Sequence, residues 1–160
     1  MSLAAKVLTV SDGVAAGTRD DSSGRALVER LGAAGYEVSA HRVTGDGVNS
    51  VAEALAELAE DFAGLIVTTG GTGFGPRDLT PEGTRVVIER EAPGIVEAIR
   101  RASDAGDRGF GMLSRAVAGT RGQALICNLP GSAGGALEGL DIVLSVAPHA
   151  LDLLAGGRPH

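Results

Sequence analysis

A glycine-rich segment in the middle of the chain carries the residues best suited to binding a charged ligand. It reads TTGGTGFGPRDLTPEG, from Thr68 to Gly83, and contains Arg77 and Asp78. Glycines let a backbone approach a ligand closely and turn its N–H groups toward it. A strand followed by glycines and then by a helix N-terminus is a favourable place for an anion. We therefore interpret the segment as an anion-binding loop rather than a long turn.

The segment does not fit two well-known phosphate-binding motifs. A Walker A loop needs a lysine followed by Ser or Thr, and the one lysine of the chain, Lys6, lies inside the first predicted strand. A dinucleotide-binding fingerprint opens its helix directly from the glycines, whereas the helix here is predicted to begin later, at Thr80. The sequence thus predicts a phosphate-binding loop of a different type.

Two aspartates are candidate catalytic residues and magnesium ligands. Asp78 lies in the glycine-rich segment, and Asp46 follows a predicted strand. Carboxylates hold Mg²⁺, which keeps much of its water and bridges phosphate oxygens. Each aspartate also has a structural interpretation, because Asp78 could cap the following helix and Asp46 could belong to an ordinary Asp-Gly turn. The spacing alone leaves both interpretations open.

Other polar residues lie where strands end or helices begin. Ser11-Asp12 ends the first predicted strand and Asp21-Ser22-Ser23-Gly24 opens the first helix, although turn and cap roles explain this spacing better than nucleotide binding does. Arginine can bind a phosphate through two hydrogen bonds, and the turn before a helix can bind an anion. The segments concerned are LSRAVAG, with Ser114 and Arg115, and LPGS, from Leu129 to Ser132. The alternative for the first is an arginine solvated at the surface, and the alternative for the second is simple turn geometry.

Composition and charge argue against several other classes of protein. The net charge of −6 and pI near 5.0 give no basic stripe for a nucleic acid. The single cysteine, Cys127, and the widely separated His41, His149 and His160 do not make a zinc site. No Gly-x-Ser-x-Gly elbow is present, and no apolar run approaches the roughly 18 residues of a membrane span. We expect a cytoplasmic protein.

The elements that must position these residues follow an α/β order. Aromatic residues make up only 2 % of the chain, so the core must consist of Val, Leu, Ile and Ala, which suits a sheet covered by helices. We predict one domain over residues 1–160 with a largely parallel sheet. Strands are predicted at Lys6–Val10, Glu37–Val43, Leu65–Thr68, Leu113–Ala118 and Ala124–Asn128. Helices are predicted from Ser22 or Ser23 to about Ala34, from Asn49 or Ser50 to about Asp61, from the N-cap Thr80, from Pro93 to about Ser103, and after Ser132, with Pro148 kinking or dividing the last.

This order places the candidate residues at one edge of the sheet. Ligands of open α/β folds bind at the carboxyl ends of the strands. Three predicted loops fall there, after Val10, Val43 and Thr68, and each carries an aspartate: Asp12, Asp46 and Asp78. We therefore expect these three loops to form one site.

Six segments in this order resemble one known family. They read VSDGVAAG, RVTGD, TTGGTGFGPRDLTPE, EREAPG, MLSRAVAG and LICNLPGS. The chain resembles the Mog/MoaB molybdenum-cofactor biosynthesis proteins from about Lys6 to Leu154, and is similar to the G domains of the plant molybdenum insertase and gephyrin. The resemblance implies a three-layer α/β/α fold and a homotrimer.

The resemblance also implies a reaction and the residues that perform it. Such proteins bind molybdopterin and Mg-ATP, form adenylylated molybdopterin and release pyrophosphate, and a separate insertase then adds the metal. The key aspartates correspond to Asp46 and Asp78, and the nucleotide side to Ser11, Asp12, Ser23 and Gly24. The molybdopterin side corresponds to Gly70, Gly71, Thr72, Gly73, Thr80, Ser114, Arg115, Pro130, Gly131 and Ser132.

Three positions depart from the family pattern without removing a chemical group. Gly45 and Ala133 stand where prolines are frequent, and Gly83 stands where alanine is usual, which weakens a helix start by roughly 1 kcal/mol. Two alternatives to adenylyl transfer remain open at this point. One is a non-catalytic molybdopterin carrier or scaffold, and the other is a purely structural trimerisation module.

Overall fold

The structure is a computed structural model that describes residues 3–105 and 110–158. These residues form six strands in one sheet with the order β2-β1-β3-β6-β5-β4. Strands β2, β1, β3 and β6 run parallel, β5 runs antiparallel to β6, and β4 runs antiparallel to β5. The strands are β1 Leu3–Val10, β2 Tyr36–Thr44, β3 Gly64–Thr69, β4 Arg90–Glu91, β5 Ala118–Arg121 and β6 Ala124–Leu129.

The helices cover both faces of this sheet. They are α1 Asp12–Ala15, α2 Ser22–Ala33, α3 Val48–Ala59, α4 Thr80–Val87, α5 Pro93–Asp104 and α6 Ala133–Leu154, with a short 3-10 helix at Phe110–Leu113. Alternate residues of a strand point to opposite faces. Thus Val7 packs in one apolar cluster with residues of α2, α5 and α6, and its neighbour Leu8 packs in a second cluster with residues of α3. The predicted three-layer α/β/α fold is confirmed.

The predicted strand Leu113–Ala118 is wrong. Its first residue ends the 3-10 helix, and β5 begins only at Ala118. The carbonyls of Ser114 and Ala116 accept hydrogen bonds from Nη1 of Arg100, at 3.2 and 3.1 Å, instead of from a neighbouring strand. The apolar pattern of this segment therefore reflects packing of a connecting segment rather than a strand.

Three predicted helix starts also differ from the structure. Asp21, not Ser22 or Ser23, caps α2, because its carboxylate accepts the Gly24 N–H at 3.0 Å. Helix α3 begins at Val48 after Gly47, without a side-chain cap. Thr80 is the first residue of α4 rather than its cap, and its hydroxyl donates instead to the Gly70 carbonyl at 2.9 Å. In each case the polar side chain nearest the predicted start has another partner or no capping contact.

The last helix is not divided at Pro148. Helix α6 continues from Ala133 to Leu154 with Pro148 inside it, and Ser132 caps it by accepting the Gly135 N–H at 3.1 Å. Val143 and Leu151, on either side of the proline, are buried in the same cluster. Packing on the sheet thus outweighs the backbone hydrogen bond that proline removes. No helix in the described ranges is long and apolar enough to cross a membrane.

A buried hydrogen-bond network joins the sheet to α4. The Nδ2 atom of Asn128 donates to the hydroxyls of Thr68 and Thr84, both at 3.0 Å, and its Oδ1 accepts the Val117 N–H at 3.1 Å. The Thr84 hydroxyl in turn donates to the Thr80 carbonyl at 2.7 Å. This network fixes the start of α4, and with it the end of the glycine-rich segment, against β3 and β6.

We expect Asn128→Leu to lower the free energy of unfolding by about 2 to 4 kcal/mol, because it leaves several buried polar groups without partners. Urea unfolding followed by circular dichroism measures this loss. The matched control is Asn49→Leu, since Asn49 is exposed on α3. Equal, small changes in the two variants would contradict the role given to the network.

Candidate active site

Two of the predicted loops are joined by a reciprocal contact at the carboxyl edge of the sheet. The N–H of Asp12 donates to Oδ2 of Asp46 at 2.9 Å, and the N–H of Asp46 donates to Oδ1 of Asp12 at 3.0 Å. The backbone also pairs here, from the Ser11 N–H to the Thr44 carbonyl at 2.9 Å. The loops after β1 and β2 therefore hold their aspartates in fixed positions relative to each other.

Arg77 connects the third loop to this pair. Its Nε and Nη2 atoms donate to the two carboxylate oxygens of Asp12, at 2.9 and 3.1 Å, and Nη2 also donates to the Asp46 carbonyl at 3.0 Å. The guanidinium and the Asp46 N–H hold the pKa of Asp12 below its ordinary value. All three loops predicted to meet are thus connected.

The Asp46 carboxyl is partly buried among negative charges. Burial raises its pKa, and the nearby charges of Asp12 and Asp78 act in the same direction. The N–H of Asp12 opposes these effects only in part. A cation bound near these carboxylates would stabilise their charged forms.

Two glycines of the loop after β3 lie in positions that admit no side chain. Gly70 has a φ of +99°, and a Cβ there would lie 2.2 Å from the Val10 carbonyl oxygen. Gly71 has a φ of +70°, and its Cβ would lie 2.2 Å from the Thr80 hydroxyl and 3.2 Å from Oδ1 of Asp46. The loop therefore lies directly against β1, beside the Asp46 carboxylate.

Asp78 is held within the same loop. Its Oδ2 atom accepts the Gly75 N–H at 2.9 Å, and its own N–H donates to the Gly75 carbonyl at 3.0 Å. Its Oδ1 atom accepts no hydrogen bond from the residues that the structure describes. The turn thus orients the carboxylate through one oxygen and leaves the other for a ligand.

A polar cavity of about 270 Å³ opens beside these residues. It lies between the N-terminus of α2 and the loop that joins β3 to α4, residues 70–79, which we call the glycine loop. Eight residues that the family resemblance assigned to the site line it: Ser11, Ser23, Asp46, Gly70, Gly71, Asp78, Gly131 and Ser132. Sequence reasoning gave no site role to several others, which include Thr9, Arg19, Asp20 and Thr69. Thr9 and Thr69 lie at the ends of β1 and β3, and Arg19 and Asp20 lie in the segment that follows β1. These positions were the sequence signal that could have identified them as site residues.

A second cavity, of about 400 Å³ and mostly apolar, lies next to the first. Five candidate residues line this cavity, of which Ser132 also lines the first: Thr72, Gly73, Ser114, Pro130 and Ser132. Phe74, Ile99 and Leu113 supply apolar surface. Ser132 lines both cavities, and the glycine loop contributes residues to both. Two ligands, one in each cavity, would therefore meet beside Ser132 and the glycine loop.

Comparison with known proteins identifies the family to which this site belongs. Residues 6–149 match the family described as "Probable molybdopterin binding domain". The chain belongs to the Mog/MoaB family. Curated relatives of the chain are named for molybdenum-cofactor biosynthesis.

Individual Mog/MoaB relatives agree with this assignment. The chain is 34% identical over 155 residues to the molybdopterin adenylyltransferase of Helicobacter pylori, covering 94% of this chain and 86% of that protein. It is 36% identical to the molybdenum cofactor biosynthesis bifunctional protein of Chlorobaculum tepidum, covering 94% of this chain and 48% of that one. It therefore spans only about half the length of that relative.

Solved Mog/MoaB structures have the same fold. The Mog protein of Mycobacterium ulcerans superposes with a TM-score of 0.88 at 41% identity, covering 96% of this chain and 99% of that one. The tungsten cofactor synthesizing protein MoaB of Pyrococcus furiosus superposes with a TM-score of 0.86 at 34% identity, covering 96% and 97%.

Four residues that the Mog/MoaB resemblance assigned to ligands line neither cavity. The Asp12 carboxylate is bound to Arg77, and the Gly24 N–H is bound to Asp21. The Thr80 hydroxyl donates to the Gly70 carbonyl. Arg115 donates from Nε to the Gly73 carbonyl at 2.8 Å and from Nη2 to the Asp78 carbonyl at 2.6 Å. In this structure these groups support the loops around the cavities.

One polar cluster beside the polar cavity was not predicted. The Asp21 carboxylate accepts the Thr9 hydroxyl at 2.9 Å and lies 2.9 Å from Nε2 of His41. These residues come from β1, β2 and the cap of α2. The cluster holds the N-terminus of α2 beside the polar cavity, and the distances in sequence between its members hid it.

Proposed function

We propose that this chain is a molybdopterin adenylyltransferase, which transfers AMP from Mg-ATP to molybdopterin and releases pyrophosphate. The observation that carries the proposal is the meeting of Asp46 and Asp78, from different loops, with Gly70 and Gly71 at one polar cavity. The name of the Helicobacter relative supports the same reaction, since this chain covers 86% of that protein.

The two cavities suit the two substrates. Phosphates and a ribose need polar partners, so we place ATP in the polar cavity near Ser11 and Ser23. A flat pterin ring suits apolar walls with a few polar groups, so we place it near Thr72, Ser114 and Pro130. Gly70, Gly71 and Gly131, which the resemblance assigned to molybdopterin, then lie where its terminal phosphate meets the ATP.

The residues present fit a magnesium ion that is completed by phosphate oxygens. Within residues 3–105 and 110–158, no three or more His, Cys, Asp or Glu side chains are grouped to hold a metal by themselves. Magnesium in nucleotide sites commonly takes one or two carboxylates plus substrate phosphates and water. Asp46 and Asp78 would supply the carboxylates, and the bound ion would neutralise charge on the reacting phosphates.

The chemistry then needs positioning and charge neutralisation more than proton transfer. A terminal phosphate oxygen of molybdopterin forms a bond to the α-phosphorus of ATP, and the bond from that phosphorus to the bridging oxygen of pyrophosphate breaks. Because the nucleophile is already an anion, no strong general base is required. The chain's part is to hold two polyanions together against their repulsion, with backbone N–H groups of the glycine loop directed at the phosphates.

The proposal predicts that the purified protein releases pyrophosphate only when molybdopterin, ATP and Mg²⁺ are all present. A coupled pyrophosphate assay measures this, and omitting each component in turn provides the controls. Tight molybdopterin binding without pyrophosphate release would instead support a non-catalytic carrier.

We also propose that the chain forms a homotrimer in the cytoplasm and passes its product to a molybdenum insertase. The family resemblance supports this assembly, and light scattering tests it. A mass three times that of the 16.0 kDa chain is expected. Binding of neither molybdopterin nor ATP, with the trimer intact, would favour a structural module.

A further inference from the structure

Arg115 connects the segment before β5 to both ends of the glycine loop. Its own N–H donates to the Thr72 carbonyl at 2.9 Å, and its Nε donates to the Gly73 carbonyl at 2.8 Å. Its Nη2 donates to the Asp78 carbonyl at 2.6 Å. One side chain thus fixes the distance between the front of the loop and the residue that carries the candidate catalytic carboxylate.

Glu82 orients this guanidinium. Its Oε2 accepts from Nη1 of Arg115 at 2.7 Å, and its Oε1 accepts from Nη2 at 3.2 Å. A planar guanidinium bound by both oxygens of a carboxylate has a fixed direction. The pairing lowers the pKa of Glu82 and raises the pKa of Arg115. Within the residues that the structure describes, four of the five N–H donors of Arg115 are therefore engaged by the protein.

The position of Glu82 in the sequence has a simpler explanation that does not account for this geometry. An acidic residue in the first turn of a helix is favourable next to the positive helix end, and any exposed carboxylate would satisfy that. The side chains of Glu82 and Arg115 are instead only 39% and 33% exposed, and Arg115, which Glu82 binds, donates to two carbonyls of the glycine loop. The pair is therefore built into the loop rather than laid on the surface.

We propose that Glu82 is a positioning residue for adenylyl transfer, which acts through Arg115 to hold Asp78 and the glycine loop in place. This inference rests on the proposed function. Glu82 touches neither cavity, so its effect must pass through the guanidinium. Arg115 lines neither cavity either, so the pair acts on the site through the two loop carbonyls that the guanidinium binds, those of Gly73 and Asp78.

The first test is the kinetics of Glu82→Gln. The amide keeps the size of the side chain but loses its charge and one acceptor oxygen. A small displacement of catalytic groups can cost about 10- to 100-fold in rate, so we expect kcat to fall by about that factor while KM for molybdopterin changes less than about threefold. The matched control is Glu91→Gln, because Glu91 forms an exposed ion pair, at 2.9 Å, with Arg85 on the same helix as Glu82.

A double-mutant cycle tests the route through Arg115. If Glu82 acts only through that side chain, Glu82→Gln should cost little in a protein that already carries Arg115→Lys. Independent, multiplying effects of the two substitutions would overturn the proposal. So would a kcat of Glu82→Gln equal to that of Glu91→Gln, or a loss confined to KM.

A readout that does not use activity separates this proposal from the proposed function. Hydrogen exchange of the backbone amides from Gly73 to Asp78 should be faster in Glu82→Gln than in the wild type, with exchange in β6 unchanged. If the wild type transfers no AMP, the adenylyltransferase proposal fails, and faster loop exchange would still support the positioning role. Unchanged loop exchange would overturn the positioning role whatever the activity.

Discussion

Replacing Asp78 with Asn is expected to lower the rate of adenylyl transfer by about 100- to 1,000-fold, the range seen when a single charge-stabilising group is removed from an active site. The amide oxygen of Asn can still accept the Gly75 N–H, which Oδ2 of Asp78 accepts at 2.9 Å. The loop should therefore keep its shape while the site loses one negative charge for the metal. Pyrophosphate release under saturating substrates measures the effect.

The control for this substitution is Asp61→Asn. Asp61 is exposed, lines neither of the two cavities of the site, and has a φ of +48°, which asparagine also tolerates. It should leave the rate and the unfolding midpoint unchanged. If Asp78→Asn unfolds in much less urea than Asp61→Asn, Asp78 has a structural role in the loop, and the catalytic interpretation loses its support.

Gly70→Ala should have the largest effect on stability, about 3 to 5 kcal/mol, and should also abolish transfer. An L-residue is strained at a φ of +99°, and the new Cβ would lie 2.2 Å from the Val10 carbonyl oxygen. The backbone of β1 or of the loop must move to relieve this contact. Either movement displaces the residues that line the polar cavity.

The substitution Gly122→Ala separates backbone strain from the steric contact, the two causes of the stability loss expected in Gly70→Ala. Gly122 has a φ of +55°, but a Cβ added there would meet no heavy atom within 4 Å, so only the backbone strain applies. We expect it to cost about 1 kcal/mol and to leave transfer intact. Similar losses of stability in the two variants, measured by urea unfolding, would contradict the close approach of the loop to β1.

Much of the fold was predictable because its signals are local. The apolar run of β3, flanked by Gly64 and the glycine loop, is typical of a buried parallel strand, and all six residues of that strand are buried. Parallel strands also bring their carboxyl ends to one edge, so the meeting of Asp12 with Asp46 followed from the predicted order alone. Some polar residues of the cavity, among them Asp46 and Asp78, were found because they lie next to glycines in the loops that follow strands.

Two of the errors, the strand predicted at Leu113–Ala118 and the cap predicted at Thr80, share a physical cause, which is that a polar group has a partner far away in sequence. The Ser114 and Ala116 carbonyls bind Arg100, so a strand-like pattern became a connecting segment. Thr80 has its hydroxyl on Gly70 rather than on its own helix. Local pattern cannot show which distant group will compete for a donor or acceptor.

The same limit explains why the role of Arg115 was not visible. An arginine near a phosphate-binding loop is expected to face the phosphate. In the structure its guanidinium faces Glu82 and the loop carbonyls. The distance in sequence between Arg115 and Glu82 conceals a contact that only the packing of the segment before β5 against α4 creates.

The most direct test of the account uses ATP carrying radioactive phosphorus at the α position and, in parallel, at the γ position. The wild-type protein is incubated with each, together with molybdopterin and Mg²⁺, and the pterin product is separated and counted. Adenylyl transfer predicts label in the pterin from α-labelled ATP only, with the γ label in pyrophosphate. Label from the γ position in the pterin, or no label in it from either, would contradict the assignment.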